Sequence, residues 1–118
     1  MKQSYSGGCQ CGRVKYQIMA EIDEIMACNC SRCGKLGSLF AFVPLSDFTL
    51  QSGKDAVTDF QFNKHAIHHF FCATCGIESY AIGKRRDGTE MAGINVRCLE
   101  GIELDKLKIK QIDGRNMP

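Results

Sequence analysis

The chain has 118 residues, 44% hydrophobic and 24% charged, with eight cysteines, no tryptophan and a mildly basic formal charge of +2. That length suits a single domain, residues 1–118, burying roughly 65% of its unfolded-chain surface and near the size at which extra cross-links help. Its longest apolar run, residues 39–45, falls far short of the roughly 20 residues a bilayer span requires, and the opening MKQSYSGGCQ has no apolar stretch of the secretory kind, so a cytoplasmic, non-membrane protein is expected.

In chain order, short runs alternate apolar and polar residues: VKYQIMA, LFAFVPL, VTDFQFN, HAIHHFFC, ESYAIG, EMAGINVRCL and LKIKQID. Turn-forming stretches such as QSGKDA and KRRDGTE separate them. The period is two rather than 3.6. Only LEGIELDKL approaches a helical stripe, and Leu99, Ile102 and Leu107 fit it loosely, enough for one or two turns. The fold class is therefore mainly β, with two packed antiparallel sheets. Alternation puts Phe40 with Phe42, and Phe60 with Phe62, on common sheet faces.

The cysteines fall in three clusters: GGCQCGR, ACNCSRCGKLG and FFCATCGIE. Cys9 and Cys11, like Cys28 and Cys30, are one residue apart, too strained for an ordinary bridge within the pair, and a reducing compartment opposes bridges between clusters. Metal binding is favoured. A Cys-x-x-Cys turn brings two sulfurs to one tetrahedral ion at about 2.3 Å. Glycines directly after the last cysteine of each cluster, Gly12, Gly34 and Gly76, predict positive φ there and backbone N–H groups turned towards the sulfurs.

Clusters of two, three and two make seven ligands, and a closed structural zinc site takes four. With no cluster split, Cys9 and Cys11 must join Cys72 and Cys75. Cys28, Cys30 and Cys33 then form a three-thiolate zinc site with one position left for water or substrate. The first pairing closes a long loop and adds stability, a structural role. The second favours a soft thiolate ligand, and a thiol so activated adds to an aldehyde to give a hemithioacetal, which suggests thiol–carbonyl chemistry. Seven thiolates on two zinc ions would shift the net charge to about −1, which weighs against nucleic acid. Lys84, Arg85 and Arg86 precede an Asp-Gly turn and read as a solvated hairpin end.

These residues resemble a known family. GGCQCGRVKY, CNCSRCGKLG and FFCATCGIESY, in that order and spacing, are similar to the glutathione-dependent formaldehyde-activating enzyme family, which also includes the centromere protein V domain; INVRCLEG, with Asn95, Arg97 and Leu99, resembles the tail of its bacterial members. The likeness runs from Gly8 to about Gly114. It implies a structural zinc at Cys9, Cys11, Cys72 and Cys75, a catalytic zinc at Cys28, Cys30 and Cys33, and a β fold related to the methionine-R-sulfoxide reductase B proteins. It also implies carbon–sulfur lyase activity, forming or cleaving S-(hydroxymethyl)glutathione, with glutathione or a similar small thiol and a small carbonyl compound as partners.

Other residues leave alternatives open. Arg32 and Lys35 either balance thiolate charge, hold a substrate carboxylate or face solvent. Cys98 reads as a buried free thiol in a strand. His65, His68 and His69 offer a proton shuttle or a structural imidazole, with His69 on the face of Ile67 and Phe71, and His68 on that of Phe70 and Cys72. Leu39 to Phe42 follow the open cluster and are placed to border a cleft. The rival to the enzyme is a non-enzymatic zinc module that binds glutathione, a protein or nucleic acid. A second site of that structural kind needs a fourth ligand from Cys98 or a histidine.

Overall fold

The computed structural model describes residues 2–62, 66–85 and 87–116. Strands β1 (Gln3–Gly8), β2 (Lys15–Ala20) and β5 (Phe48–Ser52) form a three-stranded antiparallel sheet in the order β1-β2-β5. The larger sheet has the order β10-β3-β4-β9-β8-β7-β6. Its strands are β3 (Glu24–Cys28), β4 (Phe40–Pro44), β6 (Val57–Phe60), β7 (His68–Cys72), β8 (Glu78–Lys84), β9 (Glu90–Asn95) and β10 (Lys108–Ile112). Among the described residues the other regular elements are one helix, α1 (Cys33–Leu36), and short 3-10 turns. No described helix is long and apolar enough to cross a membrane.

The period-two pattern explains the layering. On β2, Tyr16, Ile18 and Ala20 are buried while Lys15, Gln17 and Met19 are exposed. Those inward residues meet Ile25, Ala41, Val43, Tyr80, Ala92 and Ile94 of the larger sheet in one core. Tyr16 and Phe48 of the small sheet join it to Tyr80 of the larger one through ring contacts of 5.9 and 5.0 Å, and the Tyr16 hydroxyl donates to the Ser79 carbonyl at 2.9 Å.

The 84–90 stretch is indeed a hairpin end joining β8 to β9, with Arg85 N–H bonded to the Thr89 carbonyl and Gly88 at φ 89°. Arg86 lies outside the described residues. The 99–107 stretch supplies only a 3-10 turn, Leu104–Lys106. One pairing departs from the antiparallel expectation: β10 runs parallel to β3, Ile109 opposite Ile25 and Ile112 opposite Cys28. Parallel neighbours need a long crossover rather than a tight turn, so no local sequence signal announces the pairing. Its consequence is that the chain's last described residues arrive beside Cys28.

Candidate metal centres and the adjoining groove

Cys9 and Cys11 sit in the loop joining β1 to β2, Cys72 ends β7, and Cys75 lies in the turn that leads to β8. The four sulfurs lie within 4.8 Å of one another, with Cys9–Cys11 and Cys11–Cys72 both at 3.6 Å. Two sulfurs bonded to one tetrahedral zinc stand about 3.8 Å apart, so this donor set fits such an ion. The backbone is arranged for thiolates. Val14 N–H points at Cys9 Sγ (3.3 Å), and the N–H groups of Thr74 and Cys75 at Cys72 Sγ (3.4 and 3.5 Å). The Ile77 N–H, turned towards Cys75 past Gly76 at φ 79°, lowers that thiol to about 6. Gly12 likewise has φ 85°.

The second group comprises Cys28 at the end of β3, Cys30 in the following loop and Cys33 at the start of α1. Their sulfurs also lie within 4.8 Å, and no fourth histidine, cysteine or acidic side chain among the described residues joins them. Cys30 N–H points at Cys28 Sγ (3.5 Å) and Cys33 N–H at Cys30 Sγ (3.3 Å). Burial opposes ionisation of Cys30, yet N–H donation from Cys33 and Arg32 outweighs it and lowers the thiol; burial raises that of Cys33. The glycine expectation needs correction here. Gly34 lies inside α1, its N–H bonded to the Cys30 carbonyl, and the left-handed residue is Gly37, φ 71°, which ends the helix with its N–H on the Cys33 carbonyl.

Two tethers hold this loop. Asn29, between two of the cysteines, donates from its backbone to the Ile112 carbonyl (3.1 Å) and from its side chain to Asp113 (2.9 Å), and accepts from Arg115 N–H (2.9 Å). Arg32 donates from Nε (2.9 Å) and Nη2 (2.7 Å) to Oε1 of Glu78, with its guanidinium 4.5 Å from the Phe60 ring centre. Arg32 is thus engaged with a protein carboxylate rather than facing solvent. Lys35 is exposed and lines a groove of about 490 Å³ with Ser31, Arg32, Leu36, Phe60 and Phe62. A larger hollow of about 830 Å³ is bounded by Arg13, Lys54 and Thr74, and neither it nor the groove has a cysteine of either group in its lining.

The remaining candidates separate. His69 is buried, its Nδ1 3.4 Å from Oε2 of Glu78 and its ring 5.3 Å from that of Phe62. His68 instead pairs with Asp59 at 2.7 Å near the surface, and His65 lies outside the described residues. Cys98 belongs to a 3-10 turn, Val96–Cys98, not to a strand, and is half-buried; burial pushes its thiol up to about 11. It joins neither cysteine group. Phe40 and Phe42 share a face of β4, whereas Phe62 lies past the end of β6 and meets Phe60 only by ring stacking. Sequence reasoning missed Glu78, Asn29 and Gly114. A lone carboxylate opening the apolar run ESYAIG was the available signal for the first.

The architecture is mainly β and carries two cysteine groups that could hold metal ions. The chain belongs to the glutathione-dependent formaldehyde-activating enzyme family, whose model matches residues 4–111. It is also similar to a protein from Rhodobacter sphaeroides of known crystal structure, with 32% identity, a TM-score of 0.75 and coverage of 89% of this chain and 99% of that one.

Proposed function

We propose that this protein is a zinc-dependent carbon–sulfur lyase that forms or cleaves S-(hydroxymethyl)glutathione, or the adduct of a similar small thiol with a small carbonyl compound. The observation that carries the reading is the three-cysteine group, which lacks a fourth protein ligand among the described residues; its chain neighbours Ser31, Arg32 and Lys35 line a groove. Cys9, Cys11, Cys72 and Cys75 would hold a structural zinc, and Cys28, Cys30 and Cys33 a catalytic one. When bound at the trio, zinc supplies a Lewis acid that favours the thiolate form of an incoming thiol.

The chain's own residues do the rest. Lys35 attracts a carboxylate of the tripeptide, while Leu36, Phe60 and Phe62 offer an apolar wall to its backbone. In the synthetic direction a carbon–sulfur bond forms, the carbonyl π bond opens and the thiol proton ends on the new hydroxyl oxygen; cleavage reverses each change. Two cysteine groups arranged to hold metal ions as thiolates suit a reducing, cytoplasmic setting.

The test is exchange NMR on glutathione and formaldehyde with the zinc-loaded protein, because spontaneous adduct formation obscures ordinary rate assays. Faster interconversion than in buffer, abolished by Cys30→Ser, supports the lyase. Buffer-level exchange, with glutathione also leaving the cobalt-substituted spectrum unchanged, would refute it.

A further inference from the structure

Glu78 is the least expected residue near the candidate site. Its side chain is 1% exposed, and a buried carboxylate is costly unless it is paired and hydrogen-bonded. Nothing in the seven-cysteine chemistry calls for it. Its partners come from two other elements. Oε1 receives both hydrogen bonds from Arg32, within the Cys30–Cys33 turn, and Oε2 faces His69 of β7, so the carboxylate is held at both oxygens.

Helix α1 has four residues, none of them buried, and thus no apolar anchor of its own. Asn29 fixes the start of the loop to Asp113 and Arg115, and the Arg32–Glu78 pair fixes the middle to β8. The fork geometry of a guanidinium makes such a tether directional. Glu78 also follows Cys75 closely in sequence, so the tether joins the turn of one cysteine group to the loop of the other.

We infer that Glu78 is a positioning residue for the Cys28, Cys30 and Cys33 group: by gripping Arg32 it holds the three sulfurs in a geometry ready for a metal ion. This rests on the reading of that trio as a metal site, but not on the reaction proposed for it. The charge balance agrees, since the carboxylate neutralises Arg32 and leaves Lys35 to face the groove.

The test uses the full chain titrated with Co²⁺, following thiolate charge-transfer absorption, with Cys30→Ser defining the contribution of the four-cysteine group. Glu78→Gln preserves shape and removes charge; Arg32→Lys preserves charge and removes the fork. Both are expected to leave binding at the four-cysteine group near wild type; Arg32→Lys should also keep the unfolding temperature, whereas Glu78→Gln, which leaves Arg32 without its counter-charge, should lower it. Both should weaken binding at the trio by roughly 10- to 100-fold and alter its absorption bands. Amide exchange in residues 33–37 should quicken.

A trio that binds cobalt with wild-type affinity and spectrum in either variant that folds overturns the inference. Arg32→Lys, at a partly exposed position, keeps the test available if Glu78→Gln fails to fold. Failure of the lyase reading would look different: the wild-type trio would bind cobalt normally and show no response to glutathione or formaldehyde.

Discussion

Gly114 lies so close to Cys28 that a β-carbon on the glycine would stand 2.5 Å from the cysteine sulfur and 3.2 Å from Cβ of Cys30. The requirement is for space. Parallel pairing of β10 with β3 creates this approach, and the bonds of Asn29 to Asp113 and Arg115 maintain it. Gly114→Ala must therefore displace either the terminal segment or the Cys28 side chain, at a cost of about 1–3 kcal/mol. The expected result is loss of zinc from the trio with zinc at the four-cysteine group retained, read by metal analysis after gel filtration. Full zinc content with an unchanged cobalt spectrum would count against a packed contact at this point.

The two cysteine groups should respond oppositely to mutation. Cys72 is buried at the core edge, and its group joins the β1–β2 loop to the β7–β8 turn, so removing one ligand there releases a long loop. Cys72→Ser is expected to abolish cooperative thermal unfolding. Cys30→Ser, in a loop whose helix buries nothing, should keep the melting temperature within a few degrees and eliminate any response to glutathione. Calorimetry of both variants checks this, and equal destabilisation would remove the proposed division between structural and reactive sites.

What the sequence revealed divides along the range of the interactions. Tyr16, Ile18 and Ala20 announce their burial through strict alternation, and the cysteine clusters announce themselves through spacing, because both signals fit within a few residues. Gly37 was obscured by Gly34, since a one-turn helix moved the left-handed residue three positions on. Cys98 looked like a strand residue because its apolar neighbours alternate, whereas a 3-10 turn capped by the Asn95 side chain interrupts the run. Glu78 and Gly114 matter through partners on distant elements, Arg32 and Cys28, which only strand pairing brings near.

Lys35 gives a test of recognition separate from catalysis. Arg32 is occupied by Glu78, so the exposed lysine is the groove cation offered to a substrate carboxylate. Lys35→Glu is expected to weaken glutathione binding roughly tenfold, about 1.4 kcal/mol, with the difference shrinking as salt rises. Binding of 2-mercaptoethanol, which has no carboxylate, should be unaffected. Calorimetric titration with both thiols decides it: equal losses for the two, or none for either, would remove Lys35 from recognition.

Tyr16 gives a pH dependence whose sign follows from burial. Its hydroxyl is held on the Ser79 carbonyl between the sheets, and burial keeps its ionisation well above the ordinary value near 10. Below that value the side chain is neutral in both folded and unfolded chains, and its contribution is fully present. Above it the unfolded chain gives up the proton while the folded chain retains it, so stability falls by up to about 1.4 kcal/mol per pH unit for this one group. Tyr16→Phe should cost about 1 kcal/mol near neutrality through the lost hydrogen bond, yet flatten the alkaline decline by close to one proton. Some slope should persist, because burial also raises Tyr80. Urea unfolding of the zinc-loaded protein between about pH 9 and pH 11 measures both effects, and parallel stability curves for the two proteins would contradict the inter-sheet role of this hydroxyl.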